Sequence, residues 1–282
     1  MRVKVIAEIG INHSGSVATA VDLMRVAKLA GCDAVKFQKR DLELAIPPSM
    51  RLQSRATPWG PMLYPDYKQR LEFGEVEFAQ LSCAASGLGI EWSASAFDPP
   101  SVAFLHSLRV PWLKIPSAVI TDHETLRQAA DTRLPLYVST GGASWHEIDE
   151  AVRLLDATPS RVTLLHCCSV YPHKPEAARL GVLSELRQRY GLPVGYSGHE
   201  SPDYQAITLG AVALGASVVE RHITLSRRAW GSDQAASVEP EELVRLVREI
   251  RALSAALTYG AERPVDVEER AKIETMRRTS WE

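Results

Sequence analysis

The sequence predicts one α/β domain, a closed (β/α)8 barrel of the TIM type, and three observations carry that expectation. Eight short apolar runs rich in β-branched residues recur along the chain: VKVIAEIG, AVKFQ, IEWSAS, WLKIPS, LPLYVST, VTLLHC, LPVGYS and SVVERHI. Each is followed by a segment with helical spacing, at 17–30, 75–86, 101–108, 124–130, 146–155, 176–190, 204–214 and 241–256. The chain has 282 residues, enough for one barrel of roughly 250 residues and a tail. The expected division is a catalytic barrel over 1–257 and a polar tail over 258–282.

Each run is apolar on both faces, as a parallel strand covered by crossover helices must be, and eight such units favour closure. The helix starts carry capping chemistry. Thr121 to Glu124 and Ser144 to Glu147 both fit the S/T-x-x-E capping box, and Pro240 falls in a first helical turn. One connection breaks the rhythm. Residues 39–73 run through IPPSM and TPWGPMLYPDY, a Pro- and aromatic-rich loop too long to be a mere connector. Its stretch 57–67 is expected either to cap the barrel mouth or to form a dimer contact.

Apolar residues make up 45% and charged residues 23%, with a formal charge of −2, so neither a nucleic-acid nor a membrane partner is expected. The N-terminal run is too short for a signal peptide, and no run approaches the roughly 20 apolar residues of a membrane span; a cytoplasmic location is expected. Cys32, Cys83, Cys167 and Cys168 show no C-x-x-C spacing and read as reduced thiols.

Active sites of such barrels lie at the C-terminal ends of the strands. Reading only those ends yields Glu8, Asn12, His13, Lys36, Gln38, Ser95, Asp98, Lys114, Ser117, Ser139, Thr140, Gly141, His166, Ser197, His199, Glu220 and His222. A lysine at the end of an apolar strand is costly to bury without an anion. Lys36 and Lys114 therefore imply an anionic ligand, or else ion pairs with Glu8 or Glu220 inside the barrel. The Ser139-Thr140-Gly141-Gly142 turn offers hydroxyls and backbone amides ahead of a helix, an anion cradle for phosphate or carboxylate.

His199 and His222 end the seventh and eighth runs, and neighbouring strands lie about 4.8 Å apart. Two imidazoles there suit a catalytic divalent ion with open positions, Mn2+ first and Mg2+ or Co2+ as alternatives, rather than a closed zinc site. His106, His123 and His146 read as surface residues. His166 is either a third functional histidine or a buried, hydrogen-bonded one.

The motifs AEIGINHSG, AVKFQ, LKIPS, STGG, LLHCCSVYP, PVGYSGHE and ALGASVVERHITL resemble, in order and spacing, the barrel of the sialic acid (N-acetylneuraminate, NeuB-type) synthases over residues 3–250. The resemblance implies condensation of phosphoenolpyruvate with the open-chain aldehyde of N-acetylmannosamine or a similar sugar, giving a 2-keto-3-deoxy sugar acid and phosphate. It implies that Lys36, Ser95, Lys114, Ser117, Ser139, Gly141 and Ser197 hold phosphoenolpyruvate. His199 and His222 would bind the metal. Glu8, Gln38, Tyr171 and Asp233 would face the sugar or the reacting centre, with Glu8 or a metal-bound water handling protons. A homodimer is implied as well.

The chain departs from the family pattern in three places. Val119 stands where many relatives carry a glutamate, and GSDQ (231–234) replaces GPDH while keeping Asp233. The sequence stops at RRTSWE, where relatives continue into a small antifreeze-like domain, so either the acceptor is expected to differ or another group to cap the sugar site. Two alternatives stand beside the synthase. One is the same condensation on another aldose or an aldose phosphate, as in octulosonate and heptulosonate synthases, for which Arg40, Arg51, Arg55, Arg227 and Arg228 are available. The other is a non-catalytic sugar-binding barrel or assembly subunit.

Overall fold

A computed structural model describes residues 2–158, 160–257 and 266–277. In chain order the elements are β1 (Lys4–Gly10), α1 (Val17–Leu29), β2 (Ala34–Lys39), α2 (Leu42–Ala45), β3 (Ser54–Arg55), β4 (Met62–Leu63), α3 (Tyr64–Leu71), α4 (Glu75–Leu88), β5 (Glu91–Ala96), α5 (Pro99–Ser107) and β6 (Leu113–Ile115). There follow α6 (His123–Asp131), β7 (Leu136–Ser139), α7 (Trp145–Leu154), β8 (Val162–Cys167), α8 (Val182–Tyr190), β9 (Val194–Gly198), α9 (Ala206–Ala213), β10 (Val218–His222), α10 (Pro240–Ala256) and α11 (Val267–Met276). Eight strands close into a parallel barrel in the order β1, β2, β5, β6, β7, β8, β9, β10 and back to β1.

The main core lies between barrel and helices, where Leu23 and Met24 of α1, Phe78 and Leu81 of α4, Leu105 of α5, Leu126 of α6, Leu186 of α8 and Leu246 of α10 are fully buried against the sheet. Each such side chain contributes roughly 1.5–3 kcal/mol, which is what fastens helices of modest propensity to the strands. A smaller layer, Ile6, Ala34, Trp112, Leu165 and Val218, fills the barrel axis below the site. Charged groups at the strand ends therefore rest on an apolar floor.

Several expectations are corrected. Residues 39–73 are not a structureless loop: they hold α2, a 3-10 turn at Pro48–Met50, the antiparallel β3–β4 pair and α3. The run at 176–190 is not one helix but a 3-10 turn, Pro175–Ala178, followed by α8. Helix α6 is capped not by Thr121 but by Asp122, whose carboxylate accepts from the Glu124 and Thr125 amides. The Ser144–Glu147 capping box and Pro240 at the start of α10 are present as expected. Within the expected tail, α11 has no buried residue, and 258–265 and 278–282 lie outside the described residues.

Candidate active site

Strand register brings the predicted residues into one layer at the C-terminal end of the barrel. Glu8 of β1 stands opposite Lys36 of β2 on one side and His222 of β10 on the other. Ser95 of β5 pairs with Gln38 and with Lys114, and Glu220 pairs with Ser197 of β9. Alternation along each strand then points every second side chain to the axis.

There the charges neutralise one another. Lys36 Nζ lies 2.6 Å from Glu8 Oε2 and 3.7 Å from Glu220 Oε1, and donates to Ser95 Oγ at 2.5 Å. Lys114 Nζ donates to Glu220 Oε1 and Oε2 at 2.9 and 3.2 Å, and Ser197 Oγ donates to the same Oε1 at 3.0 Å. Both lysines, both glutamates and both serines are buried. The lysines thus make the internal ion pairs with Glu8 and Glu220, and an anion entering the site competes with those carboxylates for them.

The two carboxylates titrate differently. Burial pushes both upward, but for Glu220 the Lys114 and Lys36 ammoniums outweigh it and hold the group well below the usual carboxylate range. For Glu8 burial wins over Lys36, and the pKa is raised. Opposite directions of this kind suit Glu220 to the part of a counterion and Glu8 to proton exchange. Gln38 Nε2 donates to Glu8 Oε1 at 3.2 Å, and Arg40 Nη2 to Gln38 Oε1 at 2.5 Å, linking Glu8 to the mouth.

On the far side, the Gly141 amide donates to Ser117 Oγ at 3.0 Å, and Ser117 Oγ contacts Cys167 Sγ at 3.1 Å. Gly141 is needed for space: an added Cβ would lie 2.5 Å from Ser169 Oγ, 2.7 Å from Cys167 Sγ and 2.9 Å from Ser117 Oγ. Ser139 is buried at the end of β7, whereas the Thr140 hydroxyl turns back to the Leu165 carbonyl at 3.3 Å. A cavity of about 630 Å³, lined by Thr140, Ser144, His166, Cys168, Ser169 and Arg179 among others, opens beside this turn.

The rings of His199 and His222 are 5.4 Å apart, with Tyr171 stacked on His199 at 3.9 Å and edge-on to His222 at 5.7 Å. His199 Nδ1 lies 2.7 Å from the Cys168 carbonyl, which can only accept, so Nδ1 carries the proton and Nε2 presents a lone pair. Burial, then the neighbouring His222, keeps His199 neutral by holding its pKa well below the usual imidazole value. His222 Nδ1 is buried without a hydrogen-bond partner and lies 3.8 Å from Asp233 Oδ2. Among the described residues no group of three or more His, Cys, Asp or Glu is arranged to hold a metal. Two adjacent imidazoles, one with an orphaned nitrogen beside a carboxylate, nevertheless fit a divalent ion that keeps open positions.

The NeuB family model matches residues 23–262, most of the chain. The chain belongs to the NeuB family. It is 39% identical to the mouse (Mus musculus) N-acetylneuraminate-9-phosphate synthase over 256 residues, 90% of this chain and 70% of that protein. It is 36% identical to the N,N'-diacetyllegionaminic acid synthase of Legionella pneumophila over 278 residues, 94% of this chain and 76% of the relative. The crystal structure of the N-acetylneuraminic acid synthetase from Leptospira borgpetersenii, in complex with citrate, superposes with a TM-score of 0.85 at 33% identity, covering 98% of this chain and 91% of that one. The NeuB family is thus one of carbon–carbon bond-forming synthases, and this member carries its barrel.

As a NeuB barrel, the chain places some strand-end candidates outside the chemistry. Asp98 caps α5 through the Ser101 amide, Asn12 ties the first loop to Ile223 and Ser237, and His13 stacks on Phe73 at 4.0 Å. His166 is buried and bonded to the Ala178 carbonyl while lining the cavity beside Gly141. Val119 packs into the core, so no carboxylate stands there. Glu220, read only as a strand end and an internal partner, turns out to neutralise both lysines.

The excursion 39–73 lies against the mouth. Tyr67 of α3 and Trp59 meet Trp230, in the loop that also carries Asp233, with centroids 5.2 and 5.9 Å apart. Between them opens a second cavity of about 630 Å³, lined by Arg55, Tyr67, Arg228, Trp230 and Ser232 among others. Of the mouth arginines, Arg51 turns to the Glu43 carbonyl and Arg227 to Glu239 and Glu242, while Arg55 and Arg228 remain at the cavity. Lys68, which the sequence did not single out, has Arg40, Arg55 and Asp233 within electrostatic reach.

Proposed function

We propose that this NeuB-family barrel condenses phosphoenolpyruvate with the aldehyde of an N-acetylmannosamine-like sugar, giving a sialic-acid-type 2-keto-3-deoxy acid and phosphate. One observation carries the reading: two buried lysines, the carboxylates of Glu8 and Glu220 and the adjacent imidazoles of His199 and His222 converge at the strand ends beside the Gly141 turn. A sugar-binding scaffold has no use for so many costly polar groups held together. The barrel of residues 1–257 supplies every group named, with 258–282 as a tail.

Lys36, Lys114, Ser95, Ser117, Ser139, Gly141 and Ser197 bind the phosphate and carboxylate of phosphoenolpyruvate. Gln38, Tyr171 and Asp233 orient the acceptor so that its C1 faces C3 of the enol. Glu8 gives its proton to the aldehyde oxygen as the C3–C1 bond forms, then takes one from the water that captures the cationic C2. The C2–O bond to phosphate then breaks, and phosphate leaves with the proton of the new C2 hydroxyl as the ketone forms. His199 and His222 would hold a divalent ion, Mn2+ in the first instance, which supplies Lewis acidity at the aldehyde oxygen when bound. A cytoplasmic location and a homodimer belong to the same reading.

A second form of the acceptor is favoured by the mouth cavity. Arg55 and Arg228 line it and Lys68 lies within electrostatic reach of Arg55, a cationic set suited to a sugar phosphate and in keeping with relatives named 9-phosphate synthases. The experiment is phosphate release from phosphoenolpyruvate by metal-stripped protein, with Mn2+ added back, across N-acetylmannosamine, its 6-phosphate, arabinose 5-phosphate and no sugar. Release that needs both metal and an N-acetylmannosamine acceptor supports the synthase. Release only with arabinose 5-phosphate changes the product, and release with none overturns the reading.

A further inference from the structure

Strand pairing fixes His222 but not His199. His222 sits in register with Glu8 of β1, whereas the β9–β10 ladder ends at the pair Arg221 and Gly198. His199 and Glu200 lie just beyond that last rung, off the β9–β10 ladder, with an isolated bridge of Glu200 to His173 on the other side. What reaches across is the residue before His222. Arg221 Nη1 donates to Glu200 Oε1 at 2.5 Å, and Nη2 donates to the Glu200 backbone carbonyl at 3.0 Å. The fork thus grips both the side chain and the main chain of the residue after His199.

The grip is itself held rigid. Thr208 of α9 donates to Glu200 Oε1 at 2.5 Å and accepts from Arg221 Nη1 at 3.0 Å, and Tyr196 OH donates to Glu200 Oε2 at 3.0 Å. The His173 amide donates to the His199 carbonyl at 3.1 Å. Arg221 is 1% exposed, and Glu200 and Thr208 are fully buried, so this is a desolvated pair rather than a surface contact. At Gly198 an added Cβ would come within 2.7 Å of the Tyr196 ring and 2.9 Å of Arg221 Cδ, so the glycine leaves room for the arginine to pass. A buried ion pair contributes little net stability compared with an apolar pair of equal volume, while its geometry can specify one arrangement.

We propose that Arg221 and Glu200 are a positioning pair that fixes the backbone of His199 relative to His222, setting the spacing of the two imidazoles for one divalent cation. The inference rests on the reading that these histidines hold the metal. Alternation puts the pair on the sheet face away from the imidazoles, so it acts through the chain and touches neither substrate nor ion.

The test is Mn2+ alone titrated into the metal-stripped full chain, with free Mn2+ read by electron paramagnetic resonance, alongside Tm and calorimetric binding of phosphoenolpyruvate without metal. Arg221→Met leaves Glu200 buried without its ion-pair partner. It is expected to lower Tm and weaken Mn2+ about ten- to a hundred-fold, with phosphoenolpyruvate affinity within two-fold of wild type. The double variant Glu200→Gln/Arg221→Met removes both charges, so Tm recovers while Mn2+ affinity stays low. Thr208→Val, a milder change should Arg221→Met fail to fold, weakens Mn2+ several-fold. Wild-type Mn2+ affinity in the double variant and in Thr208→Val overturns the pair's role and leaves the metal reading standing. A wild-type protein that binds no Mn2+ overturns both.

Discussion

Gly141→Ala isolates the anion cradle from the fold. The new methyl would lie 2.5 Å from Ser169 Oγ, 2.7 Å from Cys167 Sγ and 2.9 Å from Ser117 Oγ, about 1 Å inside ordinary contact at the worst point. Gly141 has no positive φ, so the cost is steric, and three partners must move together because Cys167 is buried and Ser117 is bonded to it. Overpacking of this kind costs about 1–3 kcal/mol, a fall in Tm of roughly 2–10 °C. Catalysis suffers more, since a displacement of about 1 Å in a binding group costs on the order of a hundred-fold. The assay is steady-state phosphate release at varied phosphoenolpyruvate and saturating sugar, with direct binding by calorimetry. A variant whose KM for phosphoenolpyruvate and kcat both stay within two-fold of wild type would refute the assignment of this turn to phosphoenolpyruvate.

Three further changes probe other parts of the account. Glu8→Gln keeps the bond from Gln38 in reach but removes the proton carrier, so kcat should fall about 10²- to 10⁴-fold with phosphoenolpyruvate still bound; unchanged turnover removes Glu8 from the chemistry. Burial, and then the like charge of Arg40, push Lys68 down to about 8, so its ammonium is present at pH 7 and lost above pH 8. If the acceptor is phosphorylated, its KM should rise up to about five-fold from pH 7 to 9, and Lys68→Met should flatten that profile; a rise that persists in Lys68→Met assigns it elsewhere. Burial also holds His13 down to about 3, below the ordinary 6.5 of its unfolded state. The unfolded chain then binds the extra proton, so this group costs about 2 kcal/mol of stability as pH falls from 6.5 to 5, and the loss runs on toward pH 3. Urea unfolding of His13→Gln should lack that component, and equal slopes in both proteins would contradict it.

The barrel was legible because its strands are buried on both faces, so runs such as AVKFQ and VTLLHC stand out without tertiary information. The strand ends were legible for the same reason, a polar residue closing an apolar run being costly unless used. What escaped depended on contacts distant in sequence. Ion pairs of the lysines with Glu8 or Glu220 were legible as an alternative, but that Lys36 and Lys114 share Glu220 needed the closed barrel. The pairing of Ser54–Arg55 with Met62–Leu63 is two residues long on each side, too short for alternation to register. Lys68 lies on the amphipathic α3, where nothing local separates it from a solvated lysine, and the grip of Arg221 on Glu200 spans 21 residues. At α6 the failure was one of register, since Thr121 and Asp122 both have capping chemistry and only the folded chain selects Asp122.

The measurement that bears most directly on the central claim is carbon-13 NMR of phosphoenolpyruvate labelled at C3, incubated with the Mn2+-loaded protein and N-acetylmannosamine or its 6-phosphate. The account predicts that the label appears as the methylene carbon of a 3-deoxy-2-keto sugar acid, bonded to the former aldehyde carbon, with one phosphate released per product. Label that stays in phosphoenolpyruvate, or emerges only as the methyl of pyruvate, would contradict it.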